Sequence, residues 1–279
     1  MHVGPATAGG RGRAARQTER AVAGLFRDEG AHGAAVVRDV ASGEVVAAFG
    51  AGRDVDAPVM PLSVIKLYLA ALWWDEGRGD GNFQDPRAGR VTVRDMLERG
   101  YDRPGIDMAV ELRREVGSQR MLARLRRYGL GARPGHLALG SRDDDAAWGQ
   151  TLSIGEERVT VTLRQVSSFL RAVGAGGARV VAPDTALRMQ RAMRGAVERG
   201  TARSAAPILR GSRWHLGGKT GTGPDKVGPT SDGWFAGLAF EGDRPRYAIA
   251  IFVEHRGPGG AVAASIAARL TRALAAERP

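Results

Sequence analysis

The spacing of hydrophobic and polar positions predicts strands and helices at both ends of the chain, around a long helical middle. Residues 16–30 have helical spacing, and residues 33–50 form two short β-rich runs around Ala41-Ser42-Gly43, which indicates a hairpin. Helical patterns then recur over about residues 63–200, apart from a polar, loop-like stretch at residues 140–160. The middle of the chain therefore separates two regions that can form strands.

Strand-like patterns return after the helical region. They occupy residues 212–222, 232–240 and 246–255, and residues 261–277 close the chain as an amphipathic helix. Because two early strands and three late ones can complete one sheet, we predict an α/β fold of the α+β type. A five-stranded antiparallel sheet is expected between N- and C-terminal helices, with an all-helical subdomain inserted after the first hairpin.

Length and composition are those of a globular protein. Of the 279 residues, 43% are hydrophobic and 25% charged. Residues 1–15, rich in glycine, alanine and arginine, are predicted to be disordered, and residues 16–279 to form one domain. No run reaches the roughly 18 apolar residues of a membrane span. No secretory signal is visible, so a cytoplasmic protein is expected if the chain is complete.

The net charge of +11 is compatible with a nucleic acid, an anionic lipid surface or an anionic cell-wall polymer as partner. However, the arginines are spread along the chain and alternate with acidic residues, without the aromatic-interleaved basic stripe of single-strand binders. We therefore expect no nucleic-acid partner. The chain has no cysteine, which excludes disulfides, thiol chemistry and thiolate metal sites.

One lysine interrupts an apolar helix. In the stretch PLSVIKLYLAALWW, Lys66 follows Ser63 by three residues, so the two side chains share a helical face. Apolar neighbours would desolvate Lys66 and lower its pKa, which makes it a better base for the Ser63 hydroxyl. A simpler interpretation is that Ser63 caps the helix while Lys66 extends to water. The pair alone does not decide between catalysis and structure.

A second lysine lies on a predicted strand in the stretch GGKTGT, formed by residues 217–222. Small residues around Lys219 would allow a peptide backbone to approach closely and add as a strand. Lys219, Thr220 and Thr222 then offer a charge and hydroxyl groups to a carboxylate. The alternative is a glycine-rich strand end with a solvated lysine.

Together these stretches resemble the penicillin-recognising serine enzymes, which comprise penicillin-binding transpeptidases, D,D-carboxypeptidases and serine β-lactamases. Their signature is S-x-x-K, then S-x-N or Y-x-N, then K-[TS]-G. The stretches SIGEERVTVTLRQV, AMRGAVERGTA and DGWFAG are most similar to the transpeptidase branch, and the resemblance covers roughly residues 33–275. It implies an enzyme of bacterial cell-wall peptidoglycan and therefore a location in the cell envelope, outside the cytoplasm.

The resemblance also implies roles for individual residues. Ser63 would be the nucleophile that forms an acyl-enzyme, and Lys66 its general base. The backbone N–H groups of Ser63 and Thr222 would form the oxyanion hole. The substrate-binding residues would be Lys219, Thr220, Gly221 and Thr222. No metal or cofactor is needed in this scheme.

The second motif departs from the family pattern. Its expected place holds Gly100-Tyr101-Asp102-Arg103, without serine or asparagine. The best fit puts Tyr101 at the hydroxyl position, where it would pass a proton to the leaving group, and Arg103 at the asparagine position. A shift by one residue would put Gly100 and Asp102 there instead. Alternatively, Asp102 forms an ion pair with Arg103 and this arm of the site is lost.

The resemblance implies a serine D,D-transpeptidase or carboxypeptidase acting on peptides that end in D-Ala-D-Ala and acylated by β-lactams. One alternative is a serine β-lactamase or a peptide-tailoring enzyme on the same scaffold. Neither Glu156 nor Glu157 is followed by the asparagine of one β-lactamase branch, whereas Lys66 offers the lysine that another branch carboxylates. A further alternative is a non-catalytic β-lactam or peptide sensor.

Overall fold

The computed structural model describes residues 8–156, 158–223, 231–255 and 259–276. Its helices are α1 (Ala8–Asp28), α2 (Ile65–Asp75), α3 (Val93–Arg99), α4 (Arg103–Val116), α5 (Ser118–Arg127), α6 (Asp145–Ile154), α7 (Leu163–Gly174), α8 (Pro183–Glu198) and α9 (Gly259–Ala276). Its strands are β1 (His32–Asp39), β2 (Val45–Ala51), β3 (Phe83–Asp85), β4 (Gly89–Val91), β5 (His136–Leu137), β6 (Val159–Thr160), β7 (Trp214–Gly223), β8 (Asp232–Glu241) and β9 (Arg244–Glu254). Single-turn to two-turn 3₁₀ helices cover Leu62–Val64 and Arg203–Leu209.

The main sheet has five antiparallel strands in the order β2-β1-β9-β8-β7. The two strands of the first hairpin therefore join the three late strands through β1 and β9, as the sequence predicts. Strand β7 lies at one edge of this sheet. Two further two-stranded ladders, β3–β4 and β5–β6, lie outside it.

The two faces of the sheet bury different parts of the chain, because successive side chains of a strand point to opposite faces. On β1, Ala34 and Val36 belong to a core shared with the helical region. Ala35 and Val37 belong to a second core that includes residues of α1 and α9. The near-continuous apolar runs of the sequence thus correspond to strands covered on both sides.

Helix α2 lies inside the helical region and is buried along nearly its whole length, from Ile65 to Trp74. Such a helix, apolar all round, needs neighbours on every side. At 11 residues it is also too short to cross a bilayer. Among the described residues, no helix combines the length and the hydropathy of a membrane span.

The structure differs from the sequence prediction in two places. Residues 8–15, predicted to be disordered, form the start of α1, whereas residues 1–7 lie outside the described residues. The stretch predicted as a polar loop contains α6, whose N-cap Asp144 accepts a hydrogen bond from the backbone N–H of Ala147 at 2.8 Å. Helix α6 packs against α4 and thereby supports the region around residue 102.

Candidate active site

The candidate nucleophile lies in a strained turn at the start of α2. Leu62, directly before Ser63, has a φ of 50°, which is unusual for a residue with a branched side chain. Its backbone N–H donates to the carbonyl of Gly155 at 3.0 Å, and its side chain is buried. Backbone strain of this kind persists only where the surrounding structure holds it in place. The position of Ser63 is therefore fixed by tertiary contacts.

Contacts of the same leucine join this turn to the edge strand β7. A Cβ atom at Gly221 would lie 3.2 Å from the Cβ of Leu62 and 3.1 Å from the Cβ of Trp234. These distances are tighter than ordinary van der Waals contacts, so a larger residue would push the turn and the strand apart. Gly221 thus allows the Ser63 turn to lie directly against the strand that carries Lys219.

Lys66 lies on the first turn of α2 and faces Ser63. Its Nζ atom is 3.0 Å from the Ser63 Oγ atom and 3.5 Å from the carbonyl oxygen of Gly100. The side chain is completely buried, with 0% exposure. This burial lowers the pKa of Lys66, and the nearby Asp102 carboxylate opposes the decrease. The structural interpretation of the sequence, in which Lys66 extends to water and Ser63 caps the helix, is wrong.

Asp102 is the second-motif residue that the structure places beside Lys66. Its carboxylate forms a short ion pair with the Lys66 ammonium group and is 57% exposed. Arg103 pairs instead with Asp107 one helical turn later, at 2.9 Å. The alternative in which Asp102 pairs with Arg103 is therefore wrong.

Tyr101 is partly buried and packs against the core of the helical region. Its role as a proton donor stays a prediction.

Two local features direct Asp102 towards the lysine. Gly100 ends α3 in the left-handed conformation, with a φ of 80°, which glycine adopts without strain. The carbonyl oxygen of Asp102 accepts a hydrogen bond from the Ser153 hydroxyl at 2.7 Å. Asp102 occupies the N-cap position of α4, but its side chain makes no capping hydrogen bond there. Its carboxylate reaches Lys66 instead.

Lys219 lies beneath the surface of β7. It is 1% exposed, and its Nζ atom donates to the backbone carbonyl of Thr220 at 2.8 Å. Burial, followed by repulsion from Lys66, lowers the pKa of Lys219 to about 7, although Asp102 acts in the opposite direction. The interpretation of Lys219 as a solvated strand-end lysine is wrong.

An open groove of about 450 Å³ runs beside β7. It is lined by Gly200, Thr201, Arg203, Ser204, Thr220, Thr222 and Ala261. The Thr220 hydroxyl donates to the Thr201 hydroxyl at 2.7 Å, which fixes both side chains at the groove. Arg203 is exposed there and forms no salt bridge with the described part of the chain. The groove therefore presents hydroxyl groups and one guanidinium group.

Sequence reasoning missed a buried ion pair that holds this region together. Glu98, at the end of α3, has a 3% exposed side chain that pairs with Arg199, with oxygen–nitrogen distances of 2.5 and 2.9 Å. The carbonyl oxygen of Glu98 also accepts from the backbone N–H of Thr201 at 3.0 Å. The only sequence signal was the stretch AMRGAVERGTA, which contains Arg199 and Thr201 but not their partner.

The described ranges contain no cluster of three or more histidine, aspartate or glutamate residues able to hold a metal ion. What they bring together around Ser63 is two buried lysines, one half-exposed carboxylate and a strand edge with hydroxyl groups. This set suits acyl transfer through a serine ester, because it supplies a nucleophile, a base and polar partners for a substrate.

Comparison with known proteins points to one family. Residues 107–272 match the family model of the penicillin binding protein transpeptidase domain. This range includes Lys219 and the groove, whereas Ser63, Lys66 and Asp102 precede it. No curated protein is similar to the chain at the level of sequence.

Solved structures extend the similarity to nearly the whole chain. The D,D-transpeptidase domain of a peptidoglycan glycosyltransferase from Eggerthella lenta has a TM-score of 0.78 at 18% identity, over 94% of this chain and 81% of that one. The transpeptidase domain of penicillin-binding protein 3 from Burkholderia pseudomallei has a TM-score of 0.76 at 20% identity, over 96% and 95%. A peptidoglycan glycosyltransferase from Burkholderia ambifaria has a TM-score of 0.78 at 20% identity, over 96% and 97%. At these identities the similarity shows a shared fold.

Proposed function

The chain belongs to the penicillin-binding protein transpeptidase family, and from this premise we propose that Ser63 is acylated by peptides ending in D-Ala-D-Ala and by β-lactams. The acyl group then passes to an amine or to water. The observation that carries the proposal is the 3.0 Å contact between the Ser63 hydroxyl and the buried Lys66 amine. A serine with such a neighbour can lose its proton as it attacks.

In the acylation step, the amine form of Lys66 accepts the proton of Ser63 Oγ while that oxygen bonds the substrate carbonyl carbon. The carbon–nitrogen bond breaks, and the leaving nitrogen takes up the proton from Lys66. Burial supports this role, because it lowers the pKa of Lys66 and increases the amine fraction near neutral pH. The backbone N–H groups of Ser63 and Thr222 are proposed to bind the developing oxyanion.

Substrate binding is assigned to the edge of β7. An extended peptide can add as a strand at this edge, since β8 occupies the other side of β7. Because Thr220 donates its hydroxyl proton to Thr201, Thr201 and Thr222 would donate to the terminal carboxylate. The exposed Arg203 would supply the positive charge in the same groove. Lys219, buried beneath these residues, would act on the carboxylate through its charge.

The test is intact-protein mass measured at short times after mixing with benzylpenicillin. A β-lactam ring opens on acylation without losing a fragment, so the adduct has the full mass of the penicillin. We expect it in the wild type and in the control Ser168→Ala, whose serine is exposed on α7. No adduct is expected in Ser63→Ala. Lys66→Met should slow its formation by about 100-fold or more, the usual contribution of a general base.

The proposal would be rejected if the wild type neither forms the adduct nor consumes benzylpenicillin, or if Ser63→Ala forms the adduct. A parallel reaction with an N-acylated peptide ending in D-Ala-D-Ala tests the substrate class. Release of D-alanine is expected, whereas the same peptide ending in D-Ala-L-Ala should not react. Equal release from both peptides would contradict the assignment of D-amino acid substrates.

A further inference from the structure

The carboxylate of Asp102 is the feature of this site that the acylation scheme does not use. The family pattern has a neutral hydroxyl in the second motif, whereas this chain places an acidic group against the base Lys66. Asp102 also lacks the capping hydrogen bond that an N-cap aspartate usually makes to its own helix. The Asp102 side chain is therefore directed towards Lys66 and does not cap its own helix.

The ion pair between Lys66 and Asp102 affects acylation and deacylation of Ser63 in opposite ways. By attracting a proton to Lys66, Asp102 favours the ammonium form and reduces the amine that acylation requires. After acylation, the Lys66 amine takes up a proton from solvent, and the ion pair with Asp102 forms again. The Lys66 ammonium then cannot take a proton from water, whereas the paired carboxylate can. Asp102 is also half-exposed, so that water reaches it directly. A neutral hydroxyl would offer no such base.

We propose that Asp102 is the general base that activates water for hydrolysis of the Ser63 acyl-enzyme. The inference rests on the proposed function, since it requires that an acyl-enzyme forms. With this role for Asp102, the protein would hydrolyse acyl-enzymes derived from peptides or β-lactams in each catalytic cycle. It would not only transfer the acyl group to amines.

The proposed step balances in atoms and protons. Water gives one proton to the Asp102 carboxylate while its oxygen bonds the acyl carbon. The bond between that carbon and Ser63 Oγ then breaks, and the Lys66 ammonium returns a proton to Oγ. Asp102 passes its proton to the Lys66 amine, which restores the ion pair. The product is the free carboxylic acid, and both side chains recover their starting forms.

The geometry supports a short path for these protons. Lys66 Nζ contacts both Ser63 Oγ, at 3.0 Å, and the Asp102 carboxylate, so two hydrogen bonds connect the acylated oxygen to the proposed base. The hydrogen bond from Ser153 to the backbone of Asp102 holds the base in place. A purely orienting role for Asp102 is the competing explanation, and it predicts that both half-reactions depend on it equally.

The experiment separates acylation from deacylation. Rapid mixing with a chromogenic cephalosporin gives both rate constants for the wild type, Asp102→Asn and Asp102→Ser. Asp107→Asn serves as the control, since this acid lies on the same helix and pairs with Arg103. In both Asp102 variants we expect deacylation to slow by about 100-fold or more, while acylation stays equal or becomes faster. The control should match the wild type in both constants.

Two results would overturn the inference. One is deacylation in Asp102→Asn within threefold of the wild type. The other is an equal decrease of both rate constants, which would show an orienting or structural role. If Ser63 of the wild type takes up no β-lactam, the proposed function fails and the inference fails with it. Acylation at Ser63 with an unchanged Asp102→Asn lifetime rejects the inference alone.

Hydroxylamine provides an independent readout. It attacks esters without a general base, so it should restore deacylation of Asp102→Asn far more than it accelerates the wild type. A distorted site would not recover in this way. Equal acceleration of both proteins by hydroxylamine would count against Asp102 as the base.

Discussion

Replacing Lys219 by methionine should stabilise the protein at neutral pH while abolishing its function. The ammonium group of Lys219 is 1% exposed and lies close to a second cation, Lys66. Burial and this repulsion lower its pKa from 10.5 to about 7. A methionine of similar length fills the same space and carries no charge to desolvate. The Lys219→Met variant therefore removes an unfavourable group.

The size of the effect follows from the pKa and one hydrogen bond. At about 1.4 kcal/mol per pH unit, the interval from about 7 to 10.5 corresponds to roughly 5 kcal/mol of lost stability when the lysine is charged. The variant also leaves the Thr220 carbonyl without the Lys219 donor, at a cost of about 1–3 kcal/mol. The net gain in the free energy of unfolding is then about 2–4 kcal/mol at pH 6.

The sign of the pH dependence follows from proton binding. Between about pH 7 and pH 10.5 the unfolded chain keeps the Lys219 proton, whereas the folded protein has lost it. Stability rises with pH wherever the unfolded state binds more protons. The wild type therefore gains stability across this window, and the variant does not. Below pH 7 both states bind the proton, so the difference between the two proteins is constant there.

Urea unfolding at pH 6, 8 and 10 measures this difference. Arg191→Met, at an exposed position of α8, controls for the loss of a surface cation. We expect the advantage of Lys219→Met to shrink by about 4 kcal/mol from pH 6 to pH 10. At pH 10 the variant should be no more stable than the wild type, because the neutral Lys219 amine still donates to Thr220. A difference that does not change with pH, or a variant less stable than the wild type at pH 6, would refute the reasoning.

Three further predictions concern the surroundings of the site. Arg199→Met leaves the buried Glu98 carboxylate unpaired, so urea unfolding should show a decrease of about 2–3 kcal/mol in the free energy of unfolding. The decrease is smaller than for a fully buried pair because Arg199 is half-exposed. A decrease equal to that of the control Arg191→Met would contradict this prediction. Gly100→Ala forces a side chain into a backbone with a φ of 80°, which should lower stability by about 1 kcal/mol and slow acylation. Arg203→Ala should raise KM about tenfold for a peptide with a free terminal carboxylate, since a charge-assisted hydrogen bond contributes about 1.5 kcal/mol or more. The KM for the peptide with a terminal amide should stay the same. Equal effects on both peptides would show that Arg203 does not bind the carboxylate.

The sheet and most helices were predictable because their residues are buried in regular patterns. Strands β8 and β9 are covered on both faces, so their sequences read as continuous apolar runs. Helix α6 was missed because its sequence gives little apolar periodicity. Only two large apolar side chains of this helix, Trp148 and Leu152, are buried, and polar residues surround them. Its burial depends on contact with α4, which no local pattern reports.

The Ser63–Lys66 pair was predictable because three-residue spacing on one helix brings the two side chains together without any tertiary contact. The partner of Lys66 was not, because it lies 36 residues further along the chain. Neighbouring residues Tyr101 and Asp102 both offer a plausible proton carrier. The left-handed end of α3 at Gly100 and the hydrogen bond from Ser153 decide which one faces the lysine. Neither feature can be inferred from the second motif alone.

The spacing of Ser63 and Lys66 is weak evidence of catalysis by itself. On a solvated helix Lys66 would keep its ordinary pKa and remain an ammonium group, unable to accept the Ser63 proton. Its reactivity depends on burial, and burial of two lysines in one site is unfavourable unless the rest of the fold supplies the stability. The two cores on either face of the sheet supply it. Asp102 limits the repulsion between Lys66 and Lys219, and its carboxylate is open to water. A substitution of Asp102 should therefore change the rate of deacylation more than the rate of acylation.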